Sequence, residues 1–254
     1  MILAIDVGNT NITVGGYADN KIQFVSRLAT DNRRTADQYA VELYDLMRLA
    51  GFSATDTEGS VIASVVPSVG AAMANAIKKL TNTDPIILGP GVKTGVNIKI
   101  DNPSQLGADL VAGAAGAIDR YPMPAIIIDM GTATTLSVMD ASGTFLGGVI
   151  AAGIGLTLNA LTSNTALLSA IPIEAPKNTI GKNTVECMQS GLVLGTAAMI
   201  DGMVSRIEAE LKSKCTVVAT GGRAAQIIPH CNTKMQLDDN LLLDGLIKIY
   251  HKNI

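Results

Sequence analysis

The chain has 254 residues, 48% of them hydrophobic and 16% charged, with 25 Gly, no Trp and only 3% aromatic residues, and a mean hydropathy of +0.33. That composition lies far from the low-hydrophobicity, high-charge regime of disordered chains, and the length allows one large domain or two small ones. A formal charge of −3 from 19 basic and 22 acidic side chains, with so few rings available for base stacking, argues against a nucleic-acid binder.

Met1-Ile2-Leu3-Ala4-Ile5 reaches Asp6 without a preceding basic segment, unlike a secretory signal. Asp6-Val7-Gly8-Asn9-Thr10-Asn11 forms a polar loop, after which 12–17 and 21–25 flank Ala18-Asp19-Asn20 as a β-hairpin. The spacing of Tyr39, Leu43, Leu46, Met47 and Ala50 predicts a helix over 35–50 with Gly51 as its stop. A buried strand over 59–66 precedes Pro67, which suits the first position of an Ala-rich helix reaching residue 80. Arg33-Arg34 and Lys78-Lys79 read as solvated faces. Gly89-Pro90-Gly91-Val92-Lys93-Thr94-Gly95 fails as a P-loop because Val92 separates the glycine from the lysine, and no G-x-G-x-x-G follows a strand to open a helix.

Asn102-Pro103-Ser104-Gln105 has the order of a helix start, continued by a stripe of Leu106, Leu110, Ala114 and Ala117 and ending around residue 119. Asp109 falls at the edge of that stripe. A carboxylate there is costly unless paired or used, which makes Asp109 a candidate general base for a substrate hydroxyl; an Asp satisfied by backbone N–H groups or water is the alternative. The chain divides near Tyr121-Pro122 into lobes of 1–121 and 122–254.

The second lobe repeats the first. A strand over 125–128 leads into Asp129-Met130-Gly131-Thr132-Ala133-Thr134, displaced by 123 positions from the loop at Asp6, and then into a hairpin around Asp140-Ala141-Ser142-Gly143. A carboxylate at a strand end followed by a Gly/Asn/Thr loop suits phosphate oxygens and hydrated Mg²⁺, and two copies predict opposing lobes with a nucleotide cleft between them. No charge occurs over 141–173, but its most apolar part, 145–156, is too short to span a membrane and reads as packed interior or subunit interface. Thr184 is placed as the N-cap of a long helix over about 185–211, with an exposed hydroxyl as the functional alternative. A strand over 216–219 and the turn Thr220-Gly221-Gly222-Arg223 follow; the paired glycines could receive a flat base or ribose. His230 and His251 belong to no ligand-spacing motif, and Cys187, Cys215 and Cys231 form no C-x-x-C pair, so reduced thiols in a cytoplasmic protein are expected.

Taken in order, Asp6-Val7-Gly8-Asn9-Thr10, Ser64-Val65-Val66-Pro67, the Gly89–Gly95 motif, Asp101-Asn102-Pro103, Gly107-Ala108-Asp109, Asp129-Met130-Gly131-Thr132-Ala133-Thr134-Thr135 and Gly221-Gly222 resemble the type III pantothenate kinases, of the acetate and sugar kinase, Hsp70 and actin superfamily. The resemblance implies an α/β fold of duplicated ribonuclease-H-like lobes, the actin-like ATPase arrangement. It also implies a cytoplasmic homodimer without nucleic-acid or membrane partners, and the ATP-dependent phosphorylation of pantothenate to 4'-phosphopantothenate, the first step of coenzyme A biosynthesis. Asp6, Val7, Gly8, Asn9, Thr10, Asn11, Ile12 and Thr13 would then bind ATP phosphates, with Asp6 holding Mg²⁺ through water and Thr132 touching ATP. Asp109 would be the proton acceptor, and Asp129 would hold a monovalent cation, K⁺ or NH4⁺. Gly107, Ala108, Asp109, Leu110, Ile100 and Thr184 would line the acceptor site, Thr184 near the dimer interface.

Where that family usually carries an Arg after Gly-Ala-Asp and a Tyr just before Asp-Asn-Pro, this chain has Leu110 and Ile100. Losing two polar contacts worth about 1.5 to 3 kcal/mol each weakens binding of a carboxylate by one to several orders of magnitude. Other residues compensate, or the acceptor is a different alcohol. A nucleotide-binding regulator without turnover is the third reading.

Overall fold

The computed structural model describes residues 1–254, which fall into two compact units. The first comprises 1–96, 101–120 and 240–254; the second comprises 97–100 and 121–239. The sequence division at Tyr121 left the last fifteen residues with the second lobe and 97–100 with the first. Contacts place both segments the other way, because residues 97–98 add a strand to the second sheet and the C-terminal helix lies on the first.

The first unit begins with β1 (Ile2–Val7), β2 (Asn11–Ala18) and β3 (Lys21–Ala29), continues with helix α1 (Ala36–Leu49), β4 (Gly59–Ser64) and α2 (Pro67–Thr81), and adds the short β5 (Ile86–Ile87). Its five-stranded sheet has the order β3-β2-β1-β4-β5. Asp19 and Asn20 join β2 to β3 as a two-residue turn with both φ positive, 51° and 59°, the twist a tight hairpin needs. Thr35 caps α1 reciprocally with Gln38, and Pro67 opens α2 where its missing N–H costs nothing. Leu3, Ile5 and Val7 pack with Tyr39, Leu43 and Met47 of α1 and Met73 and Ile77 of α2. Because side chains alternate along a strand, Ile2, Ala4 and Asp6 lie on the opposite face. The two basic pairs sit in surface ion pairs, Arg33 with Asp31, Arg34 with Glu42, Lys78 with Asp84 and Lys79 with Asp37.

The second unit takes β6 (Asn97–Ile98), and α3 (Ala108–Ala117) belongs to the first. Next come β7 (Ala125–Met130), β8 (Ala133–Met139), β9 (Thr144–Ala152) and α4 (Ile154–Asn164). A continuous helical stretch then runs through α5 (Thr184–Gln189), a π-helical turn at Ser190–Leu194 and α6 (Gly195–Leu211), ahead of β10 (Thr216–Thr220), α7 (Ala224–Ile227) and β11 (Gln236–Leu237). The sheet order β11-β10-β7-β8-β9-β6 contains the order of the first sheet, strand for strand, with β6 added at the edge. Ile126, Ile128 and Met130 face α4, α6 and α7, which puts Asp129 on the other face. The uncharged stretch 141–173 resolves into β9, the eleven-residue α4 and irregular backbone; Thr184–Leu211 is long and apolar enough to cross a membrane by length and composition.

Helix α8 (Leu241–His251) closes the chain in the first unit and packs on α3, β1 and β4. Its Leu243 lies against Gly15, the register partner of Ala4, so α8 covers the face of the first sheet that carries Asp6.

Candidate active site

Asp6 is the penultimate residue of β1, paired across the sheet with Thr13 of β2 and Ala63 of β4. The loop that follows exposes Asn9, Thr10 and Asn11 while Gly8 N–H donates to Asn11 O at 3.0 Å. In the second unit Asp129 is likewise the penultimate residue of β7, paired with Thr135 of β8 and Thr220 of β10, and Gly131 N–H donates to Ala133 O at 3.0 Å. The two loops are not equal in length. Val7 pairs with Ile12 whereas Met130 pairs with Thr134, so four residues turn the first corner and three the second.

Both corners have the chemistry for oxyanions and hard cations: a carboxylate, backbone close enough to approach, and amide or hydroxyl side chains. The second shows a particular fit to a cation. Thr135 Oγ1 is buried with no hydrogen-bond partner, on the strand directly opposite Asp129 and on the same face of the sheet. A hydroxyl oxygen in that position and the adjacent carboxylate form a hard-oxygen donor pair. Gly221, at φ +93°, lets the β10–α7 turn lie over this corner; a Cβ there would come within 2.3 Å of Asp129 Oδ1.

Asp109 sits in the first turn of α3, on the side of the first sheet that α3 and α8 cover. The expected start at Asn102 is a separate piece. Asn102 does cap, but the structure it caps is the one-turn 3-10 helix Pro103–Gln105, and α3 begins afresh behind Gly107. Nor does α3 present a single stripe, since residues 111–117 are all buried. The Asp109 carboxylate folds back over Gly107, where a Cβ would meet Oδ1 at 2.4 Å, and accepts the N–H of Leu110 at 2.8 Å. Burial raises its pKa above the ordinary carboxylate value, with the Leu110 N–H pulling the other way. A carboxyl held so is the kind found where a proton is accepted.

Ile100 lies in the second unit, its Cγ2 3.9 Å from a Cβ built on Gly147, and Leu110 is half-buried in the first. Thr184 is exposed as the first residue of α5, and the cap is Asn183, whose side chain accepts the N–H of Glu186. The sequence reading chose Thr184 because both residues are good caps and only the backbone decides which is extended. It also passed over Thr135, whose significance depends on strand register, and all of α8.

The family model "Type III pantothenate kinase" matches residues 2–206. The type III pantothenate kinase of Moorella thermoacetica is 41% identical over 253 residues and that of Halalkalibacterium halodurans 43% identical over 254, each covering 100% of both chains. Among solved structures, a candidate Baf-family transcriptional activator from Campylobacter jejuni superposes with a TM-score of 0.65 at 18% identity, over 99% of this chain and 98% of its own. The activator of 2-hydroxyisocaproyl-CoA dehydratase from Clostridium difficile, solved with ADPNP bound, gives 0.59 at 15% identity over 98% and 93%. The fold is that of the actin-like ATPases and kinases, as the matched sheet orders of the two units require.

Proposed function

Because the chain belongs to the type III pantothenate kinase family, we propose that it transfers the terminal phosphoryl group of ATP to the hydroxyl of pantothenate. The observation that carries the assignment to these residues is the half-buried carboxylate of Asp109, its pKa raised by desolvation, on the same side of one sheet as Asp6. Within the first unit, residues 6–13 take the ATP phosphates, their exposed loop supplying polar contacts. Asp6 would hold Mg²⁺ through water, and Asp129 with the Thr135 hydroxyl would hold a monovalent cation. When bound, such cations would supply positive charge that offsets the phosphate oxygens. Asp109 takes the proton of the acceptor hydroxyl while that oxygen bonds to phosphorus, and ADP departs with the bridging oxygen. Gly107 to Leu110 of the first unit line the acceptor.

The test is a screen of hydroxyl acceptors with purified protein. ATP is expected to be consumed only with pantothenate, Mg²⁺ and K⁺ or NH4⁺ together, and Na⁺ in place of K⁺ should abolish turnover. Leu110 and Ile100 favour a second reading, another alcohol without a carboxylate, which a clearly better acceptor in the same screen would establish.

The protein is further proposed to work as a homodimer through the second unit. Leu167, Ile180 and Ile150, all in the second unit, are 92%, 82% and 75% exposed. Light scattering should give twice the chain mass, and Leu167→Glu with Ile180→Glu should halve it; a monomeric parent overturns this.

A further inference from the structure

We propose that Thr30 is a positioning residue for the first phosphate loop, its hydroxyl fixing the Gly8 peptide so that the exposed side of the loop is held ready for the nucleotide. The inference rests on the reading that residues 6–13 take the ATP phosphates, and goes beyond it by adding a residue outside that loop.

Thr30 follows β3 directly. Its N–H donates to Thr10 O at 3.0 Å, carrying the β2–β3 ladder one step past Asn11 and Ala29, and its Oγ1 donates to Gly8 O at 2.7 Å. Gly8 is thereby held on both sides of its Cα, since its own N–H, in the preceding peptide unit, is given to Asn11 O. Four backbone groups of the loop, the Gly8 N–H and the carbonyls of Gly8, Thr10 and Asn11, are engaged by these bonds, while Asn9, Thr10 and Asn11 stay exposed. The next residue anchors the brace. The buried Tyr39 of α1 donates its hydroxyl to Asp31 O at 3.0 Å, and the same oxygen lies 3.2 Å from Asp31 N. A path of hydrogen bonds therefore joins the loop to the core of the first unit through Thr30 and Asp31.

The repeat shows why a hydroxyl is needed here. In the second unit the equivalent ladder step is Gly153 N–H to Thr132 O at 3.1 Å, so Gly153 occupies the place of Thr30. A Cβ on Gly153 would lie 2.5 Å from Gly131 O and 2.3 Å from Thr132 O, because the three-residue corner brings its carbonyls against the returning strand. The four-residue corner of the first unit leaves room, and the Thr30 side chain fills it with a donor. An unanchored corner of that length with two peptide-rotating neighbours would sample orientations that a phosphate must then select against.

The experiment compares Thr30→Val, which keeps the branched shape and removes the donor, with Thr30→Ser, which keeps the donor. Kd for MgATP and KM for ATP should rise about tenfold in Thr30→Val, the factor that 1.4 kcal/mol represents. KM for the acceptor should not change, and Thr30→Ser should restore nucleotide affinity. A merely structural role would instead lower the melting temperature and reduce all parameters together. Should Thr30→Val fail to fold, Thr30→Ala carries the same expectation. Unchanged nucleotide affinity in a folded variant lacking the donor, or Thr30→Ser as impaired as Thr30→Val, overturns the role of Thr30 alone. A parent protein that binds no nucleotide overturns the phosphate-loop reading and the proposal with it.

Discussion

Asp109→Asn is expected to lower kcat by about 10²- to 10⁴-fold, the range that removal of a positioned general base produces, while ATP affinity is unchanged. Asn is nearly isosteric and its carbonyl can accept the Leu110 N–H in place of Oδ1, so the local geometry over Gly107 is preserved and only the proton acceptor is lost. The same substitution should make the protein more stable at neutral pH. Burial raises the pKa of Asp109 in the folded state, so the folded chain binds this proton more tightly than the unfolded chain does. Folding stability then falls as pH rises from the ordinary carboxylate value, 3.8, through the raised folded value, above which the parent carries the full cost of the desolvated charge. Asn cannot ionise and carries none of it. Melting curves of the two proteins should converge in acid and separate above it with the variant higher. In the parent, the acid limb of the kcat/KM profile should lie above the ordinary carboxylate range. A variant that melts lower at neutral pH contradicts the burial argument, and one that retains turnover removes Asp109 as the base.

This opposition of activity and stability explains why Asp109 stood out in the sequence. A carboxylate beside Leu106, Leu110 and a run of alanines breaks the local pattern, and a break without local compensation marks a site. The two loops were legible for a different reason: a strand, an Asp, a Gly-containing corner and a hairpin are all local, and repetition at half the chain length reinforced each copy. What the repeat concealed was the length difference. The aligned residues 5–11 and 128–134 match without a gap, yet register puts Asp6 opposite Thr13 and Asp129 opposite Thr135, a step that only strand pairing reveals. The Asn102 signal was genuine but was spent on a single 3-10 turn. The placement of residues 240–254 was beyond local reasoning altogether, since helix α8 belongs to the first unit through contacts with β1, more than two hundred residues earlier, and with β4 and α3.

Those contacts are where the largest loss of stability is expected. Gly245→Ala would place a Cβ 1.9 Å from Ala112 O and 2.8 Å from both Ala112 C and Gly116 N, and from the other side a Cβ on Gly116 would meet Leu241 O at 2.1 Å. Helices α3 and α8 thus meet backbone to backbone. Overpacking a core usually costs about 1 to 3 kcal/mol when a neighbouring side chain can turn aside. Here the atoms struck are main chain, which moves only if a helix moves, so about 3 kcal/mol is the reasonable figure. In a protein of this size that corresponds to a melting temperature lower by about 6 to 12 °C. Ala112 is one turn from Asp109, so a displaced α3 carries the carboxylate with it, and greater solvation should bring the acid limb of the kcat/KM profile back toward the ordinary carboxylate range while kcat falls. Gly155→Ala is the control: it is also in a helix, nothing lies within 4 Å of its added Cβ, and removing a glycine there should leave the protein as stable or slightly more so. If Gly245→Ala melts like that control, α3 is not seated on α8 through these glycines, and the C-terminal helix has no part in holding Asp109 where burial can act on it.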